Sequence, residues 1–536
     1  MLVSDIVRRN ARFFADHDAI VEPGRPARSW RQVEERTNRM AHAFDRLGLG
    51  RGDRVAIFAP NCPEYLEFFF ACAKSGVIGA ALNIRLAAAE ISSYLSYVEP
   101  AAVLVHGELA AAAAAWTAGT AGPRLIGMGE GHPFADDLAD LMDSSPPDPV
   151  QAPVDDTDVY QLGATSGTTG VPKAAILTHR NAIAAMLNWL ADLPIPAGGT
   201  ALQNIPLFFN PGGPAGLHPV LMKGGRTVVP PAFDPAGVPR LIEEYQVTNT
   251  VMVPTMVAMV LDRPECRQHR LTSIRGIISG GSPVPAELLL RAREVFGGDV
   301  LYPTYGMAES YSCGTVLRPV DQHPDGTPEE IRRLSSAGKP HVLVQLRVVG
   351  DDGADVPADG RTPGEIWLAG DTMSPGYFNM DDETRASRRD GWFATGDVAV
   401  MDDQGFVTIV DRRKDMIITG GINVYSIEVE RVLLGHPDVE RAAVIGVPDP
   451  TWGETIHAVV VARAGATVDP DALVDFAAGR LAGYKKPRSV EVVDELPTSA
   501  TGKVLKNVLR ARRSTGAAEG LRWAQSQPAP DIGGTP

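Results

Sequence analysis

Ten consecutive residues, Ala164-Thr-Ser-Gly-Thr-Thr-Gly-Val-Pro-Lys173, carry the densest chemistry in the chain. Thr165, Ser166, Thr168 and Thr169 donate hydrogen bonds without bringing charge. Gly167 and Gly170 let backbone N–H groups turn toward an anion, and Lys173 adds a point charge. Pro172 limits the freedom of the loop. Such a set is a complete cradle for phosphate oxygens. It is not a Walker loop, because G-x-x-x-x-G-K-[ST] is absent and Ala174 follows Lys173.

Four further segments hold chemistry that is weaker taken singly. Tyr302-Pro-Thr-Tyr-Gly-Met-Ala-Glu309 puts an aromatic ring, a glycine and a carboxylate within five residues, enough to stack a base, admit a substrate and hold Mg²⁺. Ser279-Gly-Gly-Ser-Pro283 follows the apolar run Ile274–Ile278 and so falls at the carboxyl end of a strand, where α/β sheets bind ligands. Thr395-Gly-Asp397 offers a carboxylate suited to a ribose diol. Pro497-Thr-Ser-Ala-Thr-Gly-Lys503 places a lysine just past a glycine turn, in a region with no phosphate loop of its own.

The elements that position these residues follow from the apolar pattern. Arg54–Phe58, Ala101–Val105, Arg226–Val229, Thr250–Val253 and Ile274–Ile278 are short apolar runs. Each is spaced from the next by a stretch suited to a helix, such as 62–74, Asp234–Tyr245, Pro254–Leu261 or Pro285–Phe296. Strands alternating with helices argue for parallel sheets covered on both faces. After about residue 320 the texture changes: Val342–Val349, Gly364–Leu368 and Phe406–Val410 read as antiparallel strands between Asp/Gly turns. The charged knot Asp411-Arg412-Arg413-Lys414-Asp415 then precedes a compact stretch of about 100 residues, a length typical of a small domain. The expected organisation is α/β: a large N-terminal domain (1–410) of parallel-type sheets plus a β-barrel-like subdomain, a hinge (411–415), a small mobile α+β domain (416–513) and a flexible tail (514–536).

Composition removes several classes. The 536 residues are 44% hydrophobic and 21% charged, which excludes wholesale disorder. A net charge of −15 argues against nucleic-acid binding, which needs a basic footprint. The acidity lies in 1–410, whereas 411–513 is near neutral, so a polyphosphate must be held by local features against the field of the large part. Cys62, Cys72, Cys266 and Cys313 lie far apart, signalling neither zinc nor a disulfide framework. No signal-peptide pattern or membrane-length apolar run occurs, so the expectation is a cytoplasmic protein with no integral membrane segment.

Taken in order, these segments resemble the adenylate-forming superfamily of acyl-CoA synthetases, peptide-synthetase adenylation domains and beetle luciferases, with the acyl-CoA synthetase or fatty-acid–CoA ligase type nearest. The resemblance runs from about Ser29 to Arg510. It includes Leu82-Asn-Ile-Arg-Leu86, Pro375-Gly-Tyr-Phe-Asn379, Asp390-Gly-Trp-Phe-Ala-Thr-Gly-Asp397 and Gly420-Gly-Ile-Asn-Val-Tyr-Ser-Ile-Glu428. It implies ATP, Mg²⁺ and coenzyme A as cofactors, a small carboxylic acid as substrate, and two steps: acyl-AMP formation with pyrophosphate release, then thioester formation. Thr165, Ser166, Gly167, Thr168, Thr169, Gly170 and Lys173 would hold the β- and γ-phosphates, and Glu309 the metal. Tyr305 would stack on adenine, with Gly281 and Ser282 at its edge. Asp397 would bind the ribose, with Arg412 nearby, and Lys503 would reach the carboxylate and α-phosphate. Lys414 takes the hinge position, and Gly420 and Gly421 line the pantetheine channel. Phe209, Gly306 and Met307 would line the acyl pocket. A homodimer is a family-level expectation only.

Four positions depart from the common family pattern. Ala174 replaces a glycine, Ala308 a threonine and Lys506 an arginine, the last keeping charge but losing bidentate geometry. Phe209 replaces a histidine beside the acyl pocket, which favours an acyl group that needs no hydrogen bond there. The alternative reading is a stand-alone acyl-AMP ligase or an enzyme loading a carrier protein. The aspartate that would pair with an α-ammonium is not recognisable around Phe208–Pro211, and no carrier segment follows residue 513.

Overall fold

Runs such as Arg54–Phe58, Ile78–Ala81 and Ala102–His106 are apolar at nearly every position, so they form strands buried on both faces. In the computed structural model, which describes residues 1–117, 122–164, 173–209, 219–419, 422–498 and 504–514, these strands pair in parallel. Among the described residues they belong to a seven-stranded sheet. Its spatial order is Asp136–Asp137, Arg124–Met128, Ala102–His106, Arg54–Phe58, Ile78–Ala81, Val159–Ala164 and Ala174–Thr178. Between the first two central strands runs the helix Pro63–Ser75. Proline sits in its first turn and Gly76 ends it in the left-handed conformation at φ 77°. Nearly all its residues are buried, as befits a helix that is apolar all round. Its two buried charges are both paired: the Lys74 ammonium is held by Glu34 (2.7 Å) and Asn38 (2.6 Å), and the Glu67 carboxylate by Arg28 (2.7 Å) and Arg36 (2.8 Å).

A nine-stranded sheet, again among the described residues, carries the second row of parallel strands. Thr200–Leu202, Asn249–Val251, Gly276–Ser279 and Leu301–Tyr305 lie side by side in it, each at the carboxyl end of its own crossover. A five-stranded antiparallel sheet follows, built on Gln345–Val349, Gly364–Ala369 and Trp392–Met401. Strand Val407–Arg412 then leads out of it.

By contact density the chain divides into two units, Met1–Ile409 and Val410–Pro536. The second has its own, mainly antiparallel sheet. Val439–Asp449 and Gly453–Ala462 form a long hairpin, and Ser489–Val492 joins the second of these in parallel. Helices Ser426–Leu434 and Pro470–Ala478 cover a core of Ile417, Val429, Leu433, Val444, Ile456 and Leu473. No helix among the described residues is long and apolar enough to cross a membrane.

Candidate functional site

Strands Val159–Ala164 and Ala174–Thr178 pair antiparallel, with Ala164 opposite Ala174. They are the two stems of the hydroxyl- and glycine-rich stretch. Thr165, Ser166, Gly167, Thr168, Thr169 and Gly170 lie outside the described residues; Lys173 lies inside them, at the foot of the second stem. That stem has a third neighbour. Ile176 N–H donates to Gly376 O (2.9 Å), Phe378 N–H donates to Ala174 O (2.9 Å), and Ala175 bridges Tyr377. The segment Ser374–Phe378 is therefore zipped onto the strand that Lys173 opens. Ala174 is fully buried in this contact.

Glu309 stands on a tightly folded turn. Gly306 precedes it where a Cβ would lie 2.4 Å from the Ser312 carbonyl, so only glycine fits. Beyond it Tyr311 (φ 53°) and Ser312 (φ 62°) both adopt left-handed backbone, uncommon for residues with side chains. The turn is closed by Ser312 N–H to Met307 O (2.8 Å) and Ser310 Oγ to Met307 O (3.2 Å). The Tyr311 hydroxyl anchors it to strand Val159–Ala164 by donating to Gln161 Oε1 (3.0 Å). Glu309 is only 9% exposed. Its carboxylate Oε1 accepts from the Tyr377 hydroxyl at 2.6 Å, and its carbonyl accepts from Ser374 N–H at 2.6 Å. The Lys173 ammonium lies 4.9 Å from the centre of the Tyr377 ring. Burial and the neighbouring Glu309 both push the Tyr377 phenol up, so it stays protonated and donates.

A second constellation joins residues 92 apart. The Tyr305 hydroxyl donates to Asp397 Oδ2 at 2.8 Å. Asp397 reaches this place through an irregularity of its strand. Glu365 pairs with Val398 but Trp367 pairs with Ala394, so two extra residues are accommodated between them. Gly396, at φ 73°, takes the bend and gives its N–H to Glu365 Oε1 (2.9 Å), while Thr395 Oγ1 bonds Ile366 O (2.8 Å) and receives Asp397 N–H (3.1 Å). Gly281 and Ser282 follow strand Gly276–Ser279 and are exposed, Gly281 with φ 85°.

Phe209 and Met307 are half-buried against the same core. Phe208 meets Phe209 edge to face at 4.6 Å. Arg412 and Lys414 belong to the second unit, Lys414 being exposed; Gly420, Gly421 and Lys503 lie outside the described residues. The structure thus brings together Tyr305 with Asp397, and Lys173 with Glu309 through Tyr377.

Tyr377, which touches both Glu309 and Lys173, had no role assigned from the sequence. Its signal was the Pro375–Asn379 motif, which matched the family without saying what the tyrosine touches. For Mg²⁺ the residues present fit. Glu309 is a hard oxygen donor with Oε1 fixed by a phenol. Among the described residues no group of three or more His, Cys, Asp or Glu could cage a metal. Mg²⁺ suits such a place, since it is commonly held by one or two carboxylates together with substrate phosphates and water.

The chain matches the family of AMP-binding enzymes over residues 7–378 and the AMP-binding enzyme C-terminal domain over residues 428–503. It is 39% identical over 505 residues to a feruloyl-CoA synthase of Amycolatopsis sp, covering 94% of this chain and 97% of that protein. It is 33% identical to the long-chain-fatty-acid–CoA ligase FadD13 of Mycobacterium tuberculosis, covering 95% and 98%. The ATP-bound structure of MatB from Rhodopseudomonas palustris superposes with a TM-score of 0.83 at 28% identity, over 95% of this chain and 99% of that one. The chain belongs to the AMP-binding enzyme family, within the adenylate-forming superfamily of acyl-CoA synthetases. Its activity is ATP-dependent, AMP-forming ligation of a carboxylic acid to coenzyme A through an acyl-AMP.

Proposed function

We propose that the acid this ligase activates is hydrophobic and carries an aromatic ring, of the size of a phenylpropenoate. The observation that carries the reading is the 39% identity, over nearly the whole of both chains, with a feruloyl-CoA synthase. Phe209, paired with Phe208 where the family commonly has a histidine, supports it by offering a ring edge rather than a hydrogen-bond donor.

In the first step a carboxylate oxygen of the acid attacks the α-phosphorus of ATP. The bond from that phosphorus to the β-bridging oxygen breaks, and pyrophosphate leaves. Thr165, Ser166, Gly167, Thr168, Thr169, Gly170 and Lys173 hold the β- and γ-phosphates, and Lys503 offsets charge on the carboxylate and α-phosphate oxygens. Tyr305 stacks on the adenine with Gly281 and Ser282 beside it; Asp397, steadied by the Tyr305 hydroxyl, accepts from the ribose hydroxyls, and Arg412 serves the same end. Glu309 would hold Mg²⁺, which supplies charge neutralisation between phosphates when bound. In the second step the thiol sulfur of coenzyme A attacks the acyl carbon. AMP departs with the bridging oxygen and the thiol proton goes to solvent. Lys414 takes the hinge position, and Gly420 and Gly421 line the channel for the thin pantetheine arm.

A pyrophosphate-exchange panel over ferulate, cinnamate, hexanoate and palmitate tests the substrate class. The aromatic acids are expected to exceed the straight chains in kcat/KM by about tenfold or more, the scale that pocket shape can supply. Preference for palmitate would overturn the aromatic assignment and leave the ligase chemistry standing.

A further inference from the structure

The strand opened by Lys173 and the turn carrying Glu309 come from segments more than a hundred positions apart, yet one side chain serves both. The backbone at Tyr377 is fixed from two sides: by the bridge to Ala175, which the bonds from Ile176 N–H to Gly376 O and from Phe378 N–H to Ala174 O make up, and by its own N–H bonded to Thr384 Oγ1 (2.9 Å). Its hydroxyl is spent on Glu309 Oε1 (2.6 Å), and its ring face lies under the Lys173 ammonium (4.9 Å). The turn is clasped a second time by Ser374 N–H on the Glu309 carbonyl (2.6 Å), and Ser374 Oγ is in turn tied to Gly376 O (2.7 Å). At 7% exposure the ring has little freedom to swing away. A rigid backbone, a buried ring and two charged clients leave one arrangement for both.

We propose that Tyr377 is a positioning residue for the adenylation step: its hydroxyl fixes which oxygen of Glu309 faces the nucleotide, and its ring sets the height of the Lys173 ammonium. The inference rests on reading Glu309 and Lys173 as the metal-side and phosphate-side groups. Tyr377 touches neither ATP nor the acid in this account. It acts as outer-shell partners of metal-binding carboxylates do, by removing orientations that do not bind.

The test uses the full-length enzyme carrying Tyr377→Phe, which keeps the ring and removes the hydroxyl. The half-saturating Mg²⁺ concentration in pyrophosphate exchange is expected to rise about tenfold, the usual effect of losing an outer-shell hydrogen bond. Calorimetric ATP affinity should fall in Mg²⁺ and stay unchanged in EDTA. AMP affinity, and thioester formation from supplied acyl-AMP, should hold within about twofold, because neither involves the β- and γ-phosphates. An unchanged Mg²⁺ requirement would overturn the inference. So would equal losses in Mg²⁺-ATP, AMP and thioester measurements, since that pattern is a merely structural defect. Glu309→Gln separates the two layers. No rise in its Mg²⁺ requirement sinks the reading of Glu309 and the inference with it; a rise there, with none in Tyr377→Phe, sinks the inference alone. Tyr377→Leu also removes the ring face, and its KM for pyrophosphate should exceed that of Tyr377→Phe; equal values would overturn the part assigned to Lys173.

Discussion

The bond from the Tyr305 hydroxyl to Asp397 joins the two residues proposed for the two ends of the nucleoside. The donor is neutral and the acceptor charged, and Asp397 is only 4% exposed, so the bond belongs to the stronger class of hydrogen bonds. Tyr305→Phe retains the ring face for stacking and frees the carboxylate to reorient. The expected result is a rise in KM for ATP of about fivefold to tenfold, from the loss of roughly 1 kcal/mol of orientation. The KM for coenzyme A should not move. Steady-state kinetics with each substrate varied in turn checks it, and a parallel rise for coenzyme A would mean that the phenol serves the fold rather than the nucleotide. Asp397→Asn should weaken ATP more than Tyr305→Phe does, because it removes the charge as well as the bond.

At the scale of elements, what was legible in the sequence depended on whether the signal was local. The helix Pro254–Leu261 keeps the boundaries read from its proline start, and Arg54–Phe58 is recovered because an uninterrupted apolar run leaves a buried strand few alternatives. Asp397 was recognisable as a residue, but the two-residue irregularity that aims it was not, since its register depends on a partner strand some 30 positions earlier. The contact of Tyr377 with Glu309 was invisible for the same reason, since it spans 68 positions. Lys506 is a third instance, seen in the sequence as a substitution for arginine. In the structure its ammonium meets Glu430 Oε1 (2.7 Å) and Ser426 Oγ (2.5 Å), while Ser426 Oγ also donates to Asp411 (2.7 Å). Burial pushes the Asp411 carboxyl up, and the Lys506 charge pulls against that shift. One amine thus ties helix Lys506–Ser514 to helix Ser426–Leu434. Lys506→Met should loosen the last helix by about 1–3 kcal/mol, the cost of leaving largely buried partners unpaired. Hydrogen exchange of the amides of 506–514 reads this directly, and Lys506→Arg should restore the protection. Unchanged exchange in Lys506→Met would show that Leu509 with its apolar neighbours and the Arg510–Asp415 ion pair (2.9 Å) hold the helix without it.

At the scale of the whole molecule, the chain's opening segment is fastened to the large unit by a group that responds to pH. Helix Ser4–Phe13 buries Ile6, Val7 and Asn10, and Asn10 Nδ2 reaches Leu221 O (2.7 Å). Just before it, Val3 N–H donates to Nδ1 of His179, the first residue of helix His179–Asp192. A ring nitrogen can accept only when it carries no proton. Burial pushes the His179 pKa down to about 4, with Asp158, Asp5 and Asp156 pulling the other way and the chain's own amino terminus adding to the fall. The unfolded imidazole titrates near 6.5. Between those values the unfolded chain binds the proton that the folded one refuses, so stability rises with pH across that window. It is complete above about pH 6.5 and is lost progressively as the pH falls toward 4. A separation of this size corresponds to about 3 kcal/mol at the acid end, as an order of magnitude. His341, buried beside Asp192 and also pushed down by burial, steepens the same slope. Urea unfolding of the full chain between pH 4 and 7.5 should therefore show a falling stability that His179→Asn makes shallower without abolishing, because the amide oxygen still accepts from Val3 while carrying no titratable proton. A slope identical in the two proteins would place the acid sensitivity elsewhere, with His341 the next group to replace.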